Sequence, residues 1–170
     1  MVMAISLTPS QLKTICPDAP ASATLPLNVV LARTGSITHR RAAMLVAQLA
    51  VASQHFRQLE EPDGRSQPTA PYFGRGWVRL AGRRQYREAA GALDLDLLAH
   101  PELVTAHNAE VAAWVWNARK LHLFSDAGDI EGCTRALAGA TPSPGRLTLT
   151  RAMYDRACTV LAGPHRLIAA

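Results

Sequence analysis

The 170-residue sequence contains only three cysteines, Cys16, Cys133 and Cys158, and they lie far apart in the chain. Three scattered thiols exclude a disulfide framework and a paired-cysteine metal site, and the odd number leaves at least one thiol free. We therefore expect reduced cysteines, no bound metal ion and no other cofactor.

Long hydrophobic runs are also missing. The longest stretches without a charged residue span 19–32 and 44–56, shorter than the 18 or more apolar residues of a membrane helix. The first residues lack the pattern of a secretory signal, in which basic residues precede an apolar run and a small-residue cleavage site. We expect no membrane span and a protein that is cytoplasmic as synthesised. Association with a virion, or delivery to the periplasm by another route, stays open.

Lysine is scarce, because Lys13 and Lys120 are the only two lysines among 18 basic residues and the remainder are arginines. The net charge is +5. Such an excess of positive charge favours anionic or carboxylate-bearing partners through long-range attraction. Charge alone does not distinguish nucleic acid, anionic glycan and acidic protein.

Signals for the beginning and end of helices occur along the whole chain. Thr8 and Thr38 are suitable N-caps, the latter for a helix from about 39 to 56, and Asn108 is a candidate cap for a later helix. The segment 60–76 is rich in Pro, Gly and Asp, which predicts a loop at the edge of a cleft. The sequence therefore predicts a mainly α fold, and its length fits one domain.

The segment 72–86 reads YFGRGWVRLAGRRQY. It resembles the signature of the family-19 glycoside hydrolases, the chitinases and the related phage endolysins that cut peptidoglycan, which typically runs YRGRGxIQLTGRxNY. The similarity extends to AISLTPSQLKTICPDAP near the start, to the segment 91–137 and to RAMYDRACTVL, and so covers essentially the whole chain. This resemblance implies one lysozyme-like helical domain over 1–170, with 62–72 as a shortened cleft loop.

The resemblance also implies a chemistry. The related enzymes are inverting hydrolases, in which one carboxylic acid protonates the leaving oxygen and a second carboxylate, about 6.5 to 9.5 Å away, activates water. In the family the acid is the Glu of AQIAHESGGF, and the base follows nine residues later. The aligned segment here is AQLAVASQHF, in which Val51 replaces the His and Ala52 replaces the acid. Glu61 remains at the position of the second carboxylate.

Other polar positions of the family pattern have changed as well. The substrate-binding Gln corresponds to Arg79, the Thr that holds the water to Ala81, the Asn before the Tyr to Gln85, and the Asn of a later turn to Ala138. A positioned general acid is worth about 10²- to 10⁴-fold in rate. Its loss together with these polar groups predicts a catalytically degenerate domain. The expected binding cleft surrounds the surviving catalytic carboxylate and consists of Val51, Ala52, Arg79, Ala81, Gln85 and Ala138.

The leading hypothesis is therefore non-catalytic binding of peptidoglycan, a chitin-like glycan or a partner protein. Such a protein would serve as a phage accessory, as an inhibitor or immunity factor, or as a structural part. The alternative is a weak peptidoglycan hydrolase that uses Glu61 with a substituted general acid. Glu60, Asp63 and His55 are the candidates for that acid, although solvated surface roles are the simpler interpretation for all three.

A third hypothesis, nucleic-acid binding, depends on a basic segment. Arg79, Arg84 and Arg87 add charge beside Trp77 and Tyr86, and basic residues interleaved with aromatics are typical of nucleic-acid binders. A solvated basic face explains the same residues, so we do not expect a nucleic-acid partner.

Overall fold

The computed structural model describes residues 3–163, so the predicted domain ends at 1 and 170 lie outside the described residues. Within that range the regular structure is α-helical apart from short 3-10 turns and isolated β-bridges. The helices are α1 (Pro9–Ile15), α2 (Thr24–Arg33), α3 (His39–Ala52), α4 (Arg83–Leu93), α5 (Leu103–Ala106), α6 (Asn108–Ala118), α7 (Leu121–Ala127), α8 (Ile130–Ala138) and α9 (Pro144–Ala162). The predicted mainly α fold is confirmed. No helix between residues 3 and 163 combines the length and apolarity that crossing a bilayer requires.

Two of the three predicted N-caps are confirmed. The Thr8 hydroxyl accepts a hydrogen bond from the Gln11 amide at 3.1 Å, and the Thr38 hydroxyl accepts one from the Arg41 amide at 3.2 Å. The prediction for Asn108 is wrong, because this residue is the first of α6 and its side chain accepts from the distant Trp77 amide at 2.7 Å. The third helix also ends at Ala52 rather than near residue 56.

The centre of the fold is α3, whose residues 42–50 are all buried. A helix that is buried on every side lies inside the protein rather than on its surface. Its most extensive helix contact is with α9, while α2 packs against α6. Four of the nine buried residues are alanines, which allow neighbouring helices to approach closely. The carboxyl end of α3 is thereby fixed in position by the core.

The three cysteines are free thiols, as expected. Cys16 and Cys133 are buried and Cys158 is half-buried. Burial raises the pKa of the Cys133 thiol to about 12, so this group stays protonated and unreactive near neutral pH.

The segment that follows α3 returns along itself through two isolated antiparallel bridges, Glu60 with Arg75 and Arg75 with Leu80. The turn between Arg75 and Leu80 contains Gly76, which has a φ of +73°. A Cβ atom at this glycine would lie 3.0 Å from Asn108 Oδ1. Glycine therefore serves both the left-handed backbone and the close approach to α6.

A buried polar network holds this segment against α4. The Tyr86 hydroxyl donates to the Phe73 carbonyl at 2.7 Å and accepts from Arg75 Nη1 at 2.9 Å. Arg75 Nη1 also donates to the Pro71 carbonyl, and the guanidinium lies 3.7 Å from the centre of the Phe73 ring. Burial raises the pKa of Tyr86, with Arg75 opposing the shift, so the hydroxyl remains a neutral donor.

An ion pair between Arg41 in the first turn of α3 and Asp126 in α7 predicts a pH dependence of stability. Arg41 Nε donates to Asp126 Oδ1 at 2.7 Å, and this hydrogen bond lowers the pKa of the carboxyl. The pair therefore stabilises the fold above the ordinary pKa of Asp, and this contribution disappears as the pH falls through the lowered folded value. Asp126→Asn should reduce the loss of stability between pH 7 and pH 3, measured by urea unfolding at both values. The change should not exceed about 1 kcal/mol, because the pair is exposed.

The matched control is Asp94→Asn at the exposed end of α4, where the left-handed φ of 54° suits Asn. It should leave the difference between the two pH values unchanged. An equal effect of both substitutions would show that the Arg41–Asp126 pair does not carry the pH dependence.

Candidate functional site

The site begins where α3 ends, at Ala52. The Ser53 hydroxyl donates to the Leu49 carbonyl at 2.6 Å and accepts from the Phe56 amide at 2.9 Å, which closes the helix. Gln54, His55 and Phe56 then have φ values of 48°, 63° and 62°. Left-handed backbone at a residue other than glycine costs on the order of 1–3 kcal/mol. In the alignment with the family pattern AQIAHESGGF, Gln54 and His55 stand at the two adjacent glycines. The backbone conformation typical of glycine is therefore present here although the glycines are not.

Arg79 lies directly over the end of α3. Its Nε donates to the Ala52 carbonyl at 3.1 Å and its Nη2 to Gln58 Oε1 at 3.0 Å. Nη1 is buried and has no hydrogen-bond partner among residues 3–163. Burial lowers the pKa of the guanidinium and the charge of Glu61 opposes the shift. A cation therefore occupies the neighbourhood in which the family pattern places a protonated acid.

Hydrogen bonds with Gly74 hold Glu61 in place. Its Oε2 accepts a hydrogen bond from the Gly74 amide at 3.0 Å, and its own amide donates to the Gly74 carbonyl at 2.8 Å. A Cβ atom at Gly74 would lie 3.0 Å from Glu61 Oε2 and 3.6 Å from Arg79 Cβ. Glu61 and Arg79 thus both lie beside Gly74, and Arg79 in turn contacts Ala52.

The candidates for a substituted acid have other partners or lie in solvent. Glu60 Oε1 accepts from Arg75 Nε at 3.3 Å, on the side of the buried network. His55 Nδ1 lies 3.0 Å from Asp18 Oδ2. Asp63 is exposed in a left-handed turn. None of these contacts directs a proton donor toward Ala52.

The remaining predicted cleft residues, Val51, Ala81, Gln85 and Ala138, lie in three separate places. Gln85 Oε1 accepts from Arg119 Nη2 at 2.7 Å, and Arg119 also donates to the Leu137 carbonyl, so Gln85 is linked to the end of α8 beside the exposed Ala138. Ala81 is half-buried just before α4. Val51 lines a depression that Ala52 does not line, and this depression is described next. The sequence contained no signal for Arg119, which belongs to no motif.

A depression with a volume of about 980 Å³ lies between the end of α3 and α9. It is lined by Pro17, Asp18, Val51, Gln54, His55, Arg57, Gln58, Leu149, Ala152, Met153 and Arg156, and we call it the α3–α9 pocket. Gln58 joins it to the Arg79 cluster through the hydrogen bond described above. Within residues 3–163 no three His, Cys, Asp or Glu side chains gather as metal ligands would.

The basic segment does not present its aromatic rings. Trp77 and Tyr86 are buried, at 3% and 0% exposure, and Arg79 is half-buried. Arg84 and Arg87 are exposed on α4. Stacking on single-stranded bases requires accessible aromatic faces, and neither ring offers one.

No family model matches the chain. Among curated proteins, the basic endochitinase of Brassica napus is 35% identical over 98 residues, which is 48% of this chain and 36% of that protein. An endochitinase of Avena sativa is 34% identical over 97 residues, which is 51% of this chain and 48% of that protein. The chain thus spans between about a third and a half of the length of these relatives.

Solved structures share the fold over most of the chain. Chitinase C from Streptomyces griseus superposes with a TM-score of 0.74 at 19% identity, covering 90% of this chain and 75% of that one. A bacterial family-19 chitinase gives 0.72 at 24% identity, covering 89% and 93%. The predicted resemblance and lysozyme-like fold are confirmed: the chain is similar in sequence to plant endochitinases over about half of its length, and it shares the helical fold of a bacterial family-19 chitinase.

Proposed function

We propose that this chain is a non-catalytic member of the family-19 glycoside hydrolases that binds a glycan of the chitin or peptidoglycan type, or a partner protein, without cleaving it. The observation that supports this most strongly is the contact between Arg79 and Ala52. The side chain at the expected acid position is a methyl group, and the guanidinium donates to the backbone carbonyl of the same residue at 3.1 Å.

Inversion requires a proton donor opposite the base. An arginine with a lowered pKa is still a cation near neutral pH, because the ordinary pKa of a guanidinium lies far above neutrality, so it does not release a proton to a leaving group. The methyl groups of Ala81 and Ala138 provide no hydrogen bond for water or substrate. Proton transfer and orientation are therefore weakened together.

The relatives suggest the class of ligand. The proteins that match in sequence are endochitinases by name, and a binding descendant of such enzymes would retain the glycan-facing cleft. A partner protein that covers the same cleft fits an inhibitor, immunity or phage accessory role.

One observation favours the second candidate, a weak hydrolase. Glu61 keeps the position of the family's base, and the Gly74 amide fixes its carboxylate at 3.0 Å. An ordered carboxylate is what activation of water needs, so Glu61 is the residue whose removal separates the two functions.

We expect the purified chain to sediment together with insoluble chitin or peptidoglycan. We also expect it to release no soluble sugar from either glycan. Glu61→Gln should leave the product level at that of the blank. The matched control is Glu131→Gln, which removes a half-exposed carboxylate of α8 far from Gly74 in sequence.

Sugar release that falls about 10²-fold or more in Glu61→Gln and persists in Glu131→Gln would establish the weak hydrolase instead. Failure to sediment with either glycan would leave the protein partner as the remaining form of the proposal.

A further inference from the structure

The α3–α9 pocket is large enough for a ligand of its own. Its volume of about 980 Å³ lies at the upper end of the range of about 300–1,000 Å³ for small-molecule sites. Ala52, Glu61 and Arg79 are not among the residues that line it. The pocket therefore adjoins the degenerate cleft without coinciding with its predicted catalytic residues.

Strained backbone forms one wall of the pocket. Gln54 and His55 both line it and both have positive φ. The His55 amide donates to the Ala50 carbonyl at 2.6 Å, and the Gln58 amide donates to the Ser53 carbonyl at 2.9 Å. Strain of this kind persists where surrounding contacts impose it, and it is concentrated at functional sites.

Some charged side chains of the pocket have a partner of opposite charge within residues 3–163, and others have none. Asp18 pairs with His55 at 3.0 Å. Arg57 and Arg156 also line the pocket, both are exposed, and neither lies within 4.0 Å of a carboxylate of residues 3–163. Two arginines are thus available to an anionic ligand, and guanidinium groups bind carboxylates through paired, charge-assisted hydrogen bonds.

Apolar side chains complete the wall. Val51 and Met153 line the pocket, and Leu149 lines it while 62% exposed. A large aliphatic side chain in contact with water beside two unpaired arginines suits a ligand that has both an apolar part and a negative charge.

We propose that the α3–α9 pocket binds a compact ligand that carries a carboxylate next to an apolar group, with the carboxylate at Arg57 and Arg156 and the apolar group against Val51, Leu149 and Met153. The inference rests on the proposed binding function and names the chemistry of the ligand. Two sources supply this chemistry, the acidic end of a short peptide and a sugar acid.

Isothermal titration calorimetry with two matched pairs of probes tests the proposal. The first pair is N-acetyl-leucyl-aspartate and its diamide, and the second is N-acetylmuramic acid and its amide. In each pair the ligands share their apolar and polar groups, and only one carries a carboxylate. We expect the acid of at least one pair to bind about tenfold or more tightly than its neutral counterpart, and the preferred pair identifies the source.

Arg57→Gln with Arg156→Gln should abolish that preference. The control, Arg84→Gln with Arg87→Gln, removes the same charge from the exposed face of α4 and should preserve it. Circular dichroism confirms that both double variants are folded.

Equal binding of the acid and the neutral ligand in both pairs would overturn the inference. An equal loss of the preference for the acid in the two double variants would also overturn it, because it would indicate general attraction to a basic protein. If the chain nevertheless sedimented with chitin or peptidoglycan, the proposed function would stand and only the ligand chemistry would be wrong.

Discussion

Ala52→Glu combined with Arg79→Gln is expected to hydrolyse a soluble chitin derivative about 10²- to 10⁴-fold faster than Ala52→Glu alone. The single substitution restores a carboxyl at the end of α3 but leaves Arg79 beside it, because Arg79 Nε is 3.1 Å from the carbonyl of the same residue. An adjacent cation lowers the pKa of a carboxyl. The introduced group would therefore be ionised near neutral pH and unable to act as an acid.

Replacement of Arg79 by Gln removes the cation and restores the residue of the family pattern. Ala52 is half-buried at the end of α3, so we expect partial burial to raise the pKa of the introduced carboxyl toward the range that suits a general acid. Glu61 is unchanged as the base. Release of reducing ends, followed from pH 4 to pH 8, measures both the rate and the ionisation of the introduced acid.

The control for this experiment is Ala52→Gln with Arg79→Gln, which has the same shape and no acid. It should release no more reducing ends than the parent chain. Equal activity of Ala52→Glu with and without Arg79 would show that the guanidinium does not govern the site.

Tyr86→Phe is expected to lower the free energy of unfolding by about 2 kcal/mol, because it removes two hydrogen bonds between buried groups. The Tyr86 hydroxyl donates to the Phe73 carbonyl at 2.7 Å and accepts from Arg75 Nη1 at 2.9 Å, and the side chain has 0% exposure. Phe keeps the ring and its packing, so the change measures the network rather than a cavity. Urea unfolding followed by tryptophan fluorescence provides the measurement.

Tyr72→Phe is the matched control. Its hydroxyl makes one hydrogen bond, to the Leu98 carbonyl at 3.0 Å, and the residue is half-buried, so the cost should be at most about 1 kcal/mol. Similar losses in both variants would mean that the Arg75–Tyr86–Phe73 network adds nothing beyond a single hydroxyl contact.

The helices could be predicted where local rules decide the structure. Thr8 and Thr38 cap helices as their side-chain chemistry dictates. The prediction that Asn108 is an N-cap was wrong because its side chain accepts a hydrogen bond from a distant amide, that of Trp77. The predicted extension of α3 to residue 56 was wrong because helical periodicity continues through residues whose backbone the tertiary structure turns left-handed.

The site was predicted only as a set of positions. Alignment to the family pattern selected Ala52, Glu61 and Arg79; in the structure Arg79 contacts Ala52 and lies with Glu61 beside Gly74. The partners of these residues depend on contacts between distant segments. Neither the bond from Arg119 to Gln85 nor the charge of Arg57 and Arg156 in one pocket follows from any local sequence rule.

The left-handed run from Gln54 to Phe56 has a consequence for the order of assembly. A peptide that corresponds to α3 and the following residues would not adopt this reversal by itself, since its local preferences oppose it. In the folded chain the Phe56 ring packs edge-on against Trp77, with 5.0 Å between the ring centroids. We expect the reversal to form only once this contact is made, and local opening there to separate Glu61 from the carboxyl end of α3. Amide exchange is therefore expected to be faster at this reversal than in the helices of the core.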